Sequence, residues 1–128
     1  IMTTGNGIDF GDSTVARSNT SGSMTSSTRM VMQGGKVAPG SGYTNTIDYI
    51  TMASLGDAID FGDTGSGAEA TTSTSNSTRG VFTPGTPSAG NTIEYLTIAT
   101  TGNSSDFGDL SFGRRTYGAV SDSHGGLG

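Results

Sequence analysis

The chain has 128 residues, of which 30% are hydrophobic and 13% are charged, and its formal net charge is −5. The acidic balance excludes nucleic-acid binding driven by phosphate neutralisation, and the lack of cysteine excludes disulfides, thiolate metal sites and cysteine nucleophiles. No apolar run approaches the roughly 18 residues that a membrane helix needs, so membrane insertion is not expected.

The predicted elements follow an internal repeat. The stretch DFGD occurs at residues 9–12, 60–63 and 106–109, and its phenylalanines are 51 and 46 residues apart. A second stretch, STRMVMQGG at residues 27–35, recurs as STRGVFTPG at residues 77–85, and DSHGGLG stands near the matching place in the third copy. The chain is therefore a single repeat domain with approximate repeats 1–44, 45–90 and 91–128, the first and last incomplete. This period is typical of solenoids and propellers.

Each repeat is predicted to hold short strands joined by tight turns. A run of small residues, SGSMTSS or TSTSNS, precedes TRMVM or TRGVF, and both are expected to be strands. Next comes NTIDYIT or NTIEYLT, whose alternation indicates a strand with both faces partly covered. SLGD and TTGN are predicted tight turns, because glycine followed by Asp or Asn tolerates positive φ. A further strand is expected after DFGD, at STVARS and LSFGRR, whereas TGSGAEATT in the second repeat is expected to be a loop.

Four antiparallel strands in about 50 residues form one propeller blade, so the expected fold is all-β and built from such blades. A β-sandwich and a β-solenoid are the alternatives, and three copies in register with many hairpin turns favour blades. In this interpretation the phenylalanine of each DFGD fills the space between two blades, while the aspartates fasten a turn. A closed propeller needs at least four blades. We therefore expect an incomplete propeller that is a segment of a longer polypeptide, or several copies that close a ring.

The order of these motifs resembles the kelch repeat. In that family a strand ends in a diglycine, as MVMQGG does at Gly34 and Gly35, and the next strand resembles NTIEYLTI. A turn then leads to an aromatic residue and an arginine. The resemblance implies that Phe10, Phe61 and Phe107 take the aromatic role, and that Arg17 and Arg114 or Arg115 take the arginine role. This chain departs from the pattern because it has no Trp, because TPGTP replaces the second diglycine, and because no Arg lies between Asp63 and Arg79.

The wording NTIEYLTIATTGNSSDFGDL followed by RR and SDSHGG also resembles repeats in virion proteins of tailed bacteriophages. That resemblance implies a structural virion component, such as a tail fibre, appendage or capsid-surface protein, that contributes to host-surface attachment. It implies a location on the virion surface or outside the cell. The implied partners are other virion proteins, copies of the same chain and host-surface glycans. The alternatives are a carbohydrate- or calcium-dependent binding module of a secreted protein and a propeller-type enzyme.

No catalytic residue is predicted. A protein kinase needs His-Arg-Asp, a strand lysine and a phosphate loop besides Asp-Phe-Gly, but Lys36 and His124 are the only residues of their types. A triad of Asp122, His124 and Ser121 or Ser123 does not assemble, because neighbours on one strand alternate faces. His124 also falls where the other repeats have arginine, so the chain is not expected to be an enzyme or to use a cofactor.

Two sets of residues are candidates for ligand binding. Asp57, Asp60 and Asp63 offer clustered oxygen ligands suited to Ca²⁺, although these side chains are also suited to bonding nearby backbone N–H groups in a turn. Tyr43 and Tyr117 are the candidates for stacking on sugars. Tyr49 and Tyr95 hold equivalent strand positions and are expected to pack.

Overall fold

The computed structural model describes residues 5–20, 22–40, 42–69, 71–85, 90–114 and 118–121. These residues form ten β-strands in three antiparallel sheets, and none of the sheets is closed. The predicted all-β class is therefore confirmed. In chain order the strands are β1 (Arg17–Ser18), β2 (Ser23–Thr25), β3 (Arg29–Gln33), β4 (Lys36–Val37), β5 (Thr46–Thr51), β6 (Ile59–Asp63), β7 (Thr72–Ser75), β8 (Arg79–Thr83), β9 (Thr92–Thr97) and β10 (Ser105–Asp109).

Two of the sheets have four strands each and repeat the same meander. The first sheet has the order β2-β3-β5-β6, and the second has the order β7-β8-β9-β10. The small-residue runs are β2 and β7, the TRMVM and TRGVF stretches fall on β3 and β8, and the alternating stretches are β5 and β9. These strand predictions are confirmed. The third sheet is the two-stranded pair β1-β4.

The DFGD stretches bear out one part of the sequence prediction and correct another. Asp9 and Asp106 accept hydrogen bonds from the N–H groups of Gly11 and Gly108 at 3.1 and 2.9 Å, as expected of side chains that bond nearby backbone. The second and third copies lie within β6 and β10, the last strand of each sheet, and are not turns. Each strand contains a register shift beside its phenylalanine, and Gly62 and Gly108 have φ values of 145° and 144°. Such a bulge is a common place for glycine in a strand.

The strands expected after DFGD are mostly missing. After the first copy, β1 covers only Arg17–Ser18 and pairs with β4. After the third copy, no strand forms in residues 110–114, the described part of LSFGRR. The loop predicted in the second repeat is confirmed, since residues 64–69 contain none of the ten strands. The fourth strand of each sheet is supplied by DFGD itself.

The hydrophobic core joins the two large sheets. Buried side chains of both sheets form one cluster: Met24, Val31, Ile47, Phe61, Phe82, Leu96 and Ile98. Burying a side chain of this size contributes about 1.5–3 kcal/mol. Met24 of β2 reaches across to β8, where a Cβ on Gly80 would lie 2.8 Å from the Met24 Cγ. The absence of a side chain at Gly80 therefore lets the sheets approach.

Equivalent strands of the two sheets lie side by side. The Ser73 hydroxyl donates to the Ser23 carbonyl oxygen at 3.2 Å, and the Ser75 hydroxyl donates to the Thr25 carbonyl oxygen at 3.1 Å. The Thr25 N–H in turn donates to the Ser75 Oγ at 3.0 Å. Because these hydroxyls bond the backbone of the neighbouring strand, the small residues of β2 and β7 allow the two sheets to lie close together.

The described residues contain no membrane-spanning helix.

Candidate functional site

The most regular feature of the structure is the junction between successive repeats. At each junction the DFGD segment of one repeat lies against the turn that precedes DFGD in the next. The Gly56 N–H donates to the Phe10 carbonyl oxygen at 2.9 Å, and the Gly102 N–H donates to the Phe61 carbonyl oxygen at 2.7 Å. We call residues 56–58 and 102–104 the docking turns. The same backbone contact thus occurs twice, and it joins residues that are 46 and 41 positions apart in the sequence.

A side chain of each docking turn completes the junction. The Asp12 N–H donates to Asp57 Oδ1 at 3.0 Å, and the Asp63 N–H donates to Asn103 Oδ1 at the same distance. Return backbone bonds run from the Ala58 N–H to the Asp12 carbonyl oxygen at 2.8 Å and from the Ser104 N–H to the Asp63 carbonyl oxygen at 3.0 Å. Asp and Asn are interchangeable here, because only a side-chain oxygen acceptor is needed.

The glycine of DFGD is required by this close approach. A Cβ on Gly11 would lie 2.5 Å from the carbonyl carbon of Gly56, and a Cβ on Gly62 would lie 2.5 Å from that of Gly102. Real Cβ atoms essentially never come so close. Apart from its own chain neighbours, no atom of the described residues lies within 4 Å of the Cβ position of Gly108, in the third copy. The glycine of the motif is therefore needed where a following repeat contacts it, as at Gly11 and Gly62.

Two of the three DFGD phenylalanines line clefts against the sheet that follows them, whereas Phe107 is exposed. Phe10 lines a cleft with Met30, Met32 and Ile50 of the first sheet. Phe61 lines a cleft with Tyr95 and Leu96 of the second sheet and is only 2% exposed.

Aromatic and cationic side chains form the same column in both sheets. The rings of Tyr49 and Phe61 meet edge to face with centroids 6.0 Å apart, and Tyr95 and Phe107 do the same. The prediction that Tyr49 and Tyr95 pack is confirmed by these contacts. Arg29 stacks over Tyr49 at 4.4 Å, and Arg79 stacks over Tyr95 at 4.7 Å.

Arg29 also connects the two repeats. Its Nη1 donates to the carbonyl oxygens of Ile98 and Ala99 at 3.1 and 2.9 Å, in the hairpin that carries the second docking turn. This bond across the junction was not predicted from the sequence. The signal for it was the recurrence of arginine at the same place in STR of both repeats.

A buried ion pair joins β1 to β5. Arg17, whose side chain is 3% exposed, forms a salt bridge with Asp48, whose side chain is 0% exposed. The Arg17 Nη1 also donates to the carbonyl oxygens of Gly34 and Thr46, each at 3.0 Å. The Thr14 hydroxyl donates to Asp48 Oδ1 at 2.6 Å. These bonds satisfy the buried charges, which would otherwise be strongly unfavourable.

The second large sheet accommodates the equivalent acid differently. Glu94 of β9 stands where the first large sheet has Asp48 on β5, and it accepts bonds from the Gly65 N–H at 3.1 Å and from the Ser104 hydroxyl. The Gly65 bond matches the one that the Thr14 N–H donates to Asp48 at 3.2 Å. No arginine contacts Glu94 among the described residues. Arg114, a candidate for the kelch arginine role, stacks instead on Phe112 at 4.1 Å.

The candidate calcium ligands do not come together. Asp57, Asp60 and Asp63 are exposed, Asp57 belongs to a docking turn, and Asp60 and Asp63 lie in β6. Within residues 5–121, apart from the undescribed gaps, no three His, Asp or Glu side chains are grouped so that they could hold a metal ion.

The other candidate residues lie apart from the junction or outside the described chain. Tyr43 is half-buried and forms an isolated bridge with Lys36. Tyr117, Arg115, Asp122, Ser123 and His124 fall outside the described residues, and Ser121 is exposed near β7.

A pair of substitutions at Asp57 separates a junction role from a calcium role. Asp57→Asn keeps the oxygen acceptor for the Asp12 N–H, so we expect an unchanged melting temperature. Asp57→Ala removes the acceptor and should lower the free energy of unfolding by about 0.5–1.5 kcal/mol. Chelation should leave the wild-type melting temperature unchanged. A clear fall on chelation, together with equal loss in both variants, would instead indicate bound calcium.

No protein-family model matches this chain, and a search of curated proteins gave no match.

Proposed function

We propose that this chain is a structural component of a tailed-phage virion, built from kelch-like propeller blades, and that it serves on the virion surface in host attachment. The observation that carries the proposal is the junction. It occurs twice with the same hydrogen bonds, and in each case one repeat binds the next repeat. Repeats that contact only their neighbours suit extended or ring-shaped surface structures.

The blade interpretation is supported by the topology of the two large sheets. Each is a four-stranded antiparallel meander, and the chain passes from the last strand of one sheet to the first strand of the next. The core lies between the sheets. Successive propeller blades have this connection and pack face to face around a common axis.

The kelch resemblance is supported by contacts among the residues that carry it. Arg17, from the segment after DFGD, bonds the carbonyl oxygen of Gly34 in the diglycine and forms an ion pair with Asp48 in NTIDYIT. Residues from three separate motifs of the repeat therefore meet at one buried point, and this contact explains why each motif is needed in the fold.

A structural rather than catalytic role is supported by how the polar groups are used. The carboxyl groups of Asp57, Asp48 and Glu94 accept hydrogen bonds from backbone or side-chain donors of a neighbouring segment. A catalytic carboxylate pair requires two groups that share one pocket with separated pKa values. Asp48 and Glu94 lie at equivalent places of the two large sheets, and Asp57 lies in a docking turn.

The proposal is tested by mass spectrometry of particles purified by density gradient from a culture that encodes the chain. Trypsin releases one long diagnostic peptide, residues 80–114, between Arg79 and Arg114. We expect this peptide to sediment with the phage particles and a gold-labelled antibody to mark their surface. Recovery of the peptide only in the soluble fraction, with none in intact particles, would contradict a virion role.

A further inference from the structure

The third DFGD copy has the same strand geometry as the second, but no docking turn contacts it among the described residues. Phe107 is 54% exposed, whereas its equivalent Phe61 is 2% exposed. A Cβ on Gly108 would meet open space, whereas one on Gly62 would collide with a docking turn. β10 is also the last strand of its sheet, so its outer edge pairs with no other named strand. Such an edge is a ready template for another chain.

The arginine of the junction has an equivalent in the second sheet. In the first sheet, the Arg29 guanidinium donates to two carbonyl oxygens of the following repeat. Arg79 holds the equivalent place in the second sheet and stacks on Tyr95, and it lines a cleft with Val120 and Ser121 of the same chain. We call Arg79, Phe107, Gly108 and Asp109 the receiving edge.

The beginning of the chain carries the complementary piece. Residues 1–12, IMTTGNGIDFGD, match residues 98–109, IATTGNSSDFGD, at nine of 12 positions. The match includes TTGN, residues 100–103, which contain the first two residues of the docking turn that contacts Phe61. Residues Gly5, Asn6 and Gly7 of this copy are exposed. Asn6 stands where Asp57 and Asn103 accept a backbone N–H in the two occupied junctions.

We propose that the receiving edge of one copy binds residues 5–7 of a second copy, so that the chain associates head to tail. The Asp109 N–H of one copy then donates to Asn6 Oδ1 of the next, and the Gly7 N–H donates back to the Asp109 carbonyl oxygen. Phe107 becomes buried as Phe61 is. A second copy is the favoured occupant because each chain carries both halves of a junction already formed twice within it.

Head-to-tail contacts are heterologous, so they generate a ring when the rotation closes and an open assembly when it does not. The proposal rests on the repeat geometry and is independent of a virion role. Particle mass spectrometry and the association experiment can therefore fail separately.

The test uses two variants that each block one half of the contact. Phe107→Ser removes the side chain to be buried and should weaken association about tenfold to a hundredfold. Gly7→Pro removes the N–H that donates to Asp109. Phe112→Ser is the matched control, because Phe112 is 62% exposed and lies outside the receiving edge. Thermal melting checks that each variant is folded.

Sedimentation velocity over a range of concentrations gives the readout. We expect the wild-type chain and Phe112→Ser to increase in mass with concentration, as a ring or a growing series. At the lowest concentrations at which the wild-type chain associates, each blocked variant alone should stay monomeric. An equimolar mixture of the two should stop at a dimer, because one supplies an intact head and the other an intact tail.

A wild-type chain that stays monomeric throughout would overturn the proposal and would leave a following repeat of a longer polypeptide as the occupant of the edge. Blocked variants that assemble like wild type would overturn it equally, as would loss of assembly in Phe112→Ser.

Discussion

Arg17→Ala is expected to lower the free energy of unfolding by about 3–5 kcal/mol, because it leaves a buried carboxylate without its cation. The Asp48 side chain is 0% exposed, and among the described residues only Thr14 would remain to bond it. The Gly34 and Thr46 carbonyl oxygens would each lose a donor as well. Since small domains are stable by only about 5–15 kcal/mol, this loss should shift the urea midpoint strongly.

Two controls make the Arg17 result specific. Arg114→Ala removes an exposed arginine that stacks on Phe112, and it should cost no more than about 1 kcal/mol. The double variant Arg17→Met with Asp48→Leu removes both buried charges, and it should recover most of the stability. A single Arg17→Ala variant as stable as Arg114→Ala would contradict the assignment of this ion pair.

Gly62→Ala is expected to destabilise the chain by about 1–3 kcal/mol more than Gly108→Ala, because overpacking forces the junction apart. The two glycines have φ values of 145° and 144° and stand in the same motif, so the conformational strain of alanine is common to both. Only Gly62 faces a docking turn. The difference between the two variants therefore isolates the contact with Gly102.

Urea unfolding at concentrations where the chain is monomeric measures this difference. Dilution matters because docking of a second copy would give Gly108 a neighbour as well. Equal losses in Gly62→Ala and Gly108→Ala would mean that the steric contact across the junction has no energetic weight.

The strands of each sheet were largely predictable because local patterns agree with the final packing. TRMVM and TRGVF are rich in β-branched and long apolar residues, and NTIEYLT alternates with the period of a strand. The small-residue runs were predicted as strands from the repeat, and the structure gives their reason, since Ser73 and Ser75 bond the backbone of β2.

The DFGD strands were not predictable from local preference. Asp and Gly are depleted in strands, and Gly beside Asp or Asn is typical of turns. The sequence therefore favoured a turn fastened by aspartates. Pairing with the preceding strand decides the matter, because β6 pairs with β5 and β10 pairs with β9, whereas residues 9–12, which also contact a docking turn, lie in none of the ten strands. The junction in addition requires the missing side chain at Gly62 and an N–H at Asp63 that can donate.

The residues that pair with the charged side chains could not be predicted from the sequence either. Arg17 and Asp48 are 31 residues apart, and Arg29 is 69 residues from Ile98, to whose carbonyl it donates. The sequence indicated that arginines and acids recur at matching places. It did not indicate which repeat supplies the other half of each pair, because that depends on how the sheets stack. Asp57 illustrates this, since a candidate calcium ligand proved to be a hydrogen-bond acceptor for Asp12.

Amide hydrogen exchange measured by NMR on the dilute monomeric chain tests most directly whether the repeats dock through DFGD. The N–H groups of Gly56 and Gly102 donate across the two occupied junctions, whereas Gly5 is the exposed equivalent in the first copy. We expect the Gly56 and Gly102 amides to be protected and the Gly5 amide to exchange freely, because protection follows hydrogen bonding in stable structure. Exchange of Gly56 and Gly102 as fast as that of Gly5 would contradict the docked arrangement.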